Sequence, residues 1–206
     1  MKGSDRDLIF NFLIKISDLL LKECESVGEV IECPEDVSVV SKRVISYNEE
    51  ILDSLRELNF YFGENLLLEE AEARSLYLVI EAVKACSEKV EDVSRGFVRY
   101  NIEMLRDNCV SSIVDLERAA HTVVGLILKL KDKKKVDSPY KDVIELERFK
   151  VEQKKIYDIN VRKLFEKETD PIEVLKWERI YSSIFDVFIA YEQVSVNCAK
   201  YNLAWG

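Results

Sequence analysis

Ile102, Leu105, Cys109, Ile113, Leu116, Ala120, Val123, Ile127 and Leu130 recur at steps of three and four, the spacing that gathers side chains on one face of a long helix. Val37, Val40, Val44, Tyr47, Ile51, Leu55 and Leu58 repeat the spacing earlier in the chain. Stripes of this length are buried by laying helices against one another. Strands would need period-two alternation and frequent turn residues, yet the 206 residues include only 6 Gly and 3 Pro. With 48% hydrophobic residues the chain can bury a real core, and the pattern predicts an all-α fold.

The three prolines punctuate it. "ECPEDV", "DSPYKDV" and "TDPIEV" each place proline where a helical pattern begins, and the first helical N–H has no intrahelical partner to lose. Asp170 followed by Glu173 adds a capping-box pair. Six helices are predicted, over 5–26, 35–62, 67–98, 101–131, 139–167 and 171–203. "LIFNFLIKISDLLLKE" is interrupted by Asn11, Lys15 and Asp18, so it reads as an amphipathic helix and not as a signal peptide or a membrane span. A cytoplasmic protein is expected, meeting membranes only through a partner.

Charge narrows the partners. A net charge of −9 argues against nucleic acid, whose phosphates require a basic surface. "KLKDKKKVD", Lys129 to Asp137, is either a solvated loop complementing a helix C-terminus or a contact for an acidic, phosphate-bearing or anionic-lipid partner. The five cysteines show no metal-ligand spacing and read as reduced, mostly buried thiols. Cys24 and Cys33 flank an expected interhelical turn, where pairing is conceivable only in an oxidising or hyperthermophilic setting.

The two halves resemble each other. A shift of 104 places Ile80 on Ile184, Val83 on Val187, Glu88 on Glu192 and Val90 on Val194, and a shift of 106 places Leu55 on Val161 and Leu58 on Leu164. The expectation is one domain over 1–206 made of two three-helix repeats, about 1–98 and 99–206.

"KIYDINVRKLFEKETDPIEVLKWERIYSSIF", Lys155 to Phe185, carries a family resemblance in its "LF" at Leu164–Phe165, its "DPIEVLKW" turn and helix start, and an acidic Glu192 further on. Over roughly 145–200 the chain resembles the PhoU-like phosphate-transport regulators, in particular the branch accompanying inorganic-phosphate permeases. The resemblance implies two tandem three-helix bundles and a regulatory or accessory role in phosphate uptake. It also implies metal clusters held by carboxylate-x-x-x-carboxylate pairs on neighbouring helices, since residues four apart share a helix face. The matching positions here are Lys150 and Lys154, Phe185 and Ile189, Val44 and Asn48, and Glu81 and Ala85. Only Glu81 is acidic, and two ammonium groups would repel a cation. The family-type metal site is therefore expected to be lost and no cofactor is expected, with Glu152, Asp158 and Asp186 the nearby carboxylates in another register.

Other chemistry is sparse. The single histidine, His121, excludes a di-iron bundle with two Glu-x-x-His pairs, and its spacing from Glu117 suits a local surface pair. "AHTVVG" resembles the His-x-x-Lys-Gly site of histidine phosphotransfer domains, but Val124 stands where the neutralising lysine would be. The plainer expectation for His121 is partly buried packing. No serine or cysteine has a base partner, and no Gly-rich phosphate loop occurs. "NFYF" and "YNLAWG" are expected to pack the bundle ends or to mark a partner surface. The sequence thus reads as a non-enzymatic protein that binds a permease or signalling partner through helix surfaces, with homodimerisation plausible. The alternatives are a phosphotransfer bundle using His121 and a helical interaction module unrelated to phosphate.

Overall fold

The computed structural model describes residues 3–69, 71–132 and 139–205, and the side chains of all of these but 3, 4 and 62–69. The described residues form six α-helices and one short 3-10 turn, without a strand: α1 (Gly3–Glu29), the turn Pro34–Asp36, α2 (Val37–Glu69), α3 (Ala71–Arg99), α4 (Asp107–Lys131), α5 (Tyr140–Lys167) and α6 (Pro171–Trp205). The fold is all-α, and no helix among the described residues is long and apolar enough to cross a membrane.

The prolines sit where helices begin. Pro34 opens the 3-10 turn, Pro139 is the N-cap of α5 and Pro171 is the first residue of α6. Asp170 caps α6, its Oδ1 accepting the Ile172 N–H at 2.8 Å. The expected reciprocal arm from Glu173 is not made. Asp170 N donates to Glu168, and Glu173 instead accepts from the Trp177 indole at 3.1 Å.

Two expected boundaries move. The fourth helix starts at Asp107 and not at 101, because α3 ends in a Schellman turn with Asn101 at a φ of 48°. Ile102 N donates to Phe97 O and Asn101 N to Val98 O, the paired bonds of that motif. Ile102 and Leu105 are buried all the same, plugging the core from the connection. The expected break between 62 and 67 is also absent: α2 runs to Glu69, and α3 begins at Ala71.

Helices α1, α2 and α3 pack against one another, as do α4, α5 and α6, and α1–α4 and α3–α6 contacts join the two sets. The α3 face of Leu76, Val79, Ile80, Val83, Cys86, Val90, Val93 and Phe97 is fully buried. Each large aliphatic or aromatic side chain of this kind contributes about 1.5–3 kcal/mol over its exposed state. Gly96 lets α3 and α6 approach closely, since a Cβ there would lie 3.2 Å from Ile180 Cδ1. At the other end Arg6 donates to the carbonyls of Leu130 and Lys131 at the α4 C-terminus, and its guanidinium lies 4.6 Å over the Phe10 ring.

Candidate functional site

The α5/α6 face carries four of the eight positions where the resemblance places metal ligands. Tyr157 stacks on Phe185 with ring centroids 5.5 Å apart, because residues on facing helices at this register point into one groove. The Lys154 ammonium lies 5.0 Å from the Tyr157 ring and 5.5 Å from the Phe185 ring, and it also pairs with Asp158 at 2.7 Å. Lys150 pairs with Glu192 at 2.7 Å, and Ile189 is exposed. The face thus supplies its own cations. Its lysines engage the carboxylates within reach, and its aromatic rings present their negative faces to an ammonium.

The α2/α3 positions divide differently. Val44 belongs to the core. Asn48 is buried and donates to Ser87 Oγ at 2.8 Å, and Ser87 in turn donates to Glu23 Oε1 at 2.7 Å. Glu81 is half-exposed, 3.9 Å from Lys84, and Ala85 is half-buried. Burial, with the Glu81 carboxylate second, raises the neighbouring Tyr77 hydroxyl above its ordinary range.

Carboxylates in the alternative register do not gather at one point. Glu152 lies 3.9 Å from Arg148, and Asp158 is held by Lys154. Asp186 is raised by partial burial, relieved by Lys89 and reinforced by Asp92, both on α3. The three carboxylates therefore face different partners.

Sequence reasoning missed the buried polar string Glu23–Ser87–Asn48, one residue from each of α1, α3 and α2. Glu23 is fully buried, and its Oε2 has no hydrogen-bond partner. Burial raises its carboxyl well above the ordinary range, opposed by the Ser87 bond and reinforced by Glu91, which favours the protonated form. Beside it, Cys24 lies 3.1 Å from the Tyr191 hydroxyl, which donates to Leu116 O at 3.2 Å. Cys24 is therefore a buried thiol inside α1, whereas Cys33 is exposed, and the two are not paired. A signal existed: Glu23 falls on the stripe Ile16, Leu20, Glu23, Val27, at steps of four, three and four.

A second polar link, also missed, ties α5 to α4. Ser112 donates to Gln153 Oε1 at 2.7 Å, and Gln153 Nε2 donates to Asp115 at 2.8 Å. A cleft of about 690 Å³ lies where the 101–108 connection meets the start of α6. Arg106 and Trp177 are among its lining residues, the guanidinium lying 4.7 Å over the Trp177 ring and pairing with Glu168 at 2.9 Å. The Arg106 bond holds the Glu168 carboxyl below its ordinary range.

His121 is exposed on α4, and the expectation of partial burial is corrected: its ring projects past Ala120 and Val123, which are buried. Its Nε2 lies 3.9 Å from Glu117. Exposure meets one requirement of phosphotransfer, but the nearest charged neighbours are carboxylates, which repel a phosphoryl group. Of the lysine run, Lys129 pairs with Asp142 at 2.7 Å and Lys131 donates to Asn11 at 2.6 Å, while 133–137 lie outside the described residues.

The aromatic clusters split. Tyr201 is buried and Trp205 packs partly against the core, whereas Phe60 is 92% exposed and Tyr61 68% exposed, so "NFYF" does not pack the bundle end as expected. Phe62 lies outside the described side chains. No protein-family model and no curated protein matches the chain.

Proposed function

We propose that the chain is a divergent PhoU-like helical protein that regulates or assists phosphate uptake by binding a transporter or signalling partner, without catalysis of its own. Helix packing supports the two-repeat organisation. Contacts within α1–α3 and within α4–α6 have the same connectivity, joined by α1 on α4 and α3 on α6. Ile80 and Ile184, Val83 and Val187, and Val90 and Val194, paired by the shift of 104, are all buried.

The observation that carries partner recognition is the apolar surface of the last two helices. Ile144, Val151 and Phe165 recur at heptad positions of α5, and Leu175, Ile189, Val196 and Leu203 do so on α6, all exposed. Repeated exposed apolar positions at this period are what a docked helix reads. The lysines that occupy the family-type ligand positions leave this face suited to a protein surface.

The test is co-expression with the inorganic-phosphate permease of the same host, followed by co-purification and phosphate uptake with the gene deleted. Recovery of the complex, its loss in a Val151→Asp/Ile189→Asp variant, and altered uptake in the deletion are expected. Unchanged uptake together with failure to recover the permease would refute the proposal.

A further inference from the structure

We propose that Glu25, Glu117 and His121 form a binding site for a divalent transition-metal ion on the α1/α4 face. Their ligand atoms all lie within 4.8 Å of one another, and among the described residues this is where three metal-ligating side chains converge. The geometry follows from the helices. Glu117 and His121 are four apart on α4 and share a face, and α1 packs on α4 to present Glu25 opposite them.

The donor set identifies the class of ion. An imidazole nitrogen with two carboxylates suits zinc, cobalt or nickel, whereas magnesium and calcium favour oxygen alone. Bonds of about 2.0–2.2 Å to zinc bring tetrahedral ligands to about 3.3–3.5 Å from each other. The 3.9 Å separation of His121 Nε2 from Glu117 Oε1 closes to that by rotation of the exposed His121 and half-buried Glu117 side-chain ends. Three protein ligands leave the remaining positions to water.

Charge and space agree with this. Among the described residues no lysine or arginine forms an ion pair with Glu25 or Glu117, although most carboxylates elsewhere on the helices have such a partner. Two carboxylates and an imidazole are thus brought together across a helix interface, with no lysine or arginine paired to either carboxylate among the described residues. Gly28, one turn along α1 from Glu25, lies against the Glu117 carboxylate, since a Cβ there would be in contact with Glu117 Oε2 at 3.5 Å. A bound ion would cross-link α1 to α4. The site is distinct from the α2/α3 and α5/α6 positions and does not depend on the partner-binding proposal.

His121 is the only histidine of the chain, so its ring signals report the site without ambiguity. Metal-free full-length protein would be titrated with zinc by calorimetry and by imidazole NMR, and with cobalt by visible absorption, in a Cys33→Ser background that removes the exposed thiol. One equivalent is expected to bind, with shifted His121 signals and a raised Tm at saturation. His121→Ala, Glu25→Gln and Glu117→Gln should each weaken binding at least tenfold with the metal-free Tm unchanged, while Glu81→Gln leaves binding unaltered. His121 signals that do not move at stoichiometric zinc, binding indifferent to His121→Ala, or displacement by a hundredfold excess of magnesium would each overturn the proposal. Loss of permease binding would not affect any of these readings.

Discussion

Replacing Glu23 by glutamine should give a variant whose stability relative to the wild type grows as the pH rises. The glutamine keeps the oxygen that accepts from Ser87 and carries no ionisable proton, while the unpartnered Oε2 position stays polar. An ordinary glutamate titrates near about 4.3, and burial raises Glu23 in the native state well above that. Between those two values the native chain holds a proton that the unfolded chain releases. Wild-type stability therefore falls with rising pH by about 1.4 kcal/mol per pH unit across this window, and the variant escapes that loss. Below about pH 4 both side chains are neutral in both states, and the two proteins should nearly agree. Urea unfolding followed by circular dichroism at several pH values gives the difference directly, because the other titrating groups cancel between the two proteins. The groups around Glu23, namely Ser87, Glu91, Cys24, Cys86 and Tyr191, with Asn48 behind Ser87, are the same in both. The reasoning fails if the two stability-versus-pH curves run parallel, or if the exposed control Glu81→Gln shows the same divergence.

Three further outcomes are expected. Gly125→Ala, in the middle of α4 with nothing within 4 Å of its added Cβ, should stabilise by about 0.4–1 kcal/mol in thermal melts, and a loss would contradict the open space there. Lys150→Glu sets two carboxylates together where Lys150 now pairs with Glu192, so it should cost about 1 kcal/mol that the swap with Glu192→Lys restores, as a double-mutant cycle would show. Tyr191→Phe removes the hydroxyl that meets Cys24 and Leu116 O inside the core and should cost about 1 kcal/mol in chemical denaturation without changing the helical content.

Helix existence was legible because it follows from local rules. Periodicity of the apolar residues and the fixed φ of three prolines placed all six helices, and Asp170 showed its capping role directly. The start of α4 was obscured because Ile102 and Leu105 keep a helical spacing while lying in a connection, where they are buried for a tertiary reason. Asn101, a residue that tolerates the left-handed region, was the overlooked stop signal. Glu23 was hidden by its type: a charged residue on an apolar stripe reads as an interruption until its full burial and its Ser87 partner are known. The Glu25–Glu117–His121 group could be only half seen, since four-residue spacing gives two of its members and only the packing of α1 on α4 brings the third.

The α3/α6 contact also sets a timetable. Helix α6 is made well after α3, and its packing on α3, where Gly96 admits Ile180, is the most extensive between two helices among the described residues. At about 5–20 residues per second, the stretch from α4 to the end of α6 takes roughly 5–20 s to synthesise. Through that interval the side of α3 destined for α6 has no cover from its own chain. A chain halted after α3 is therefore expected to leave that face uncovered, and truncation before α6 should put more of the product in the pellet on sedimentation than the full chain does.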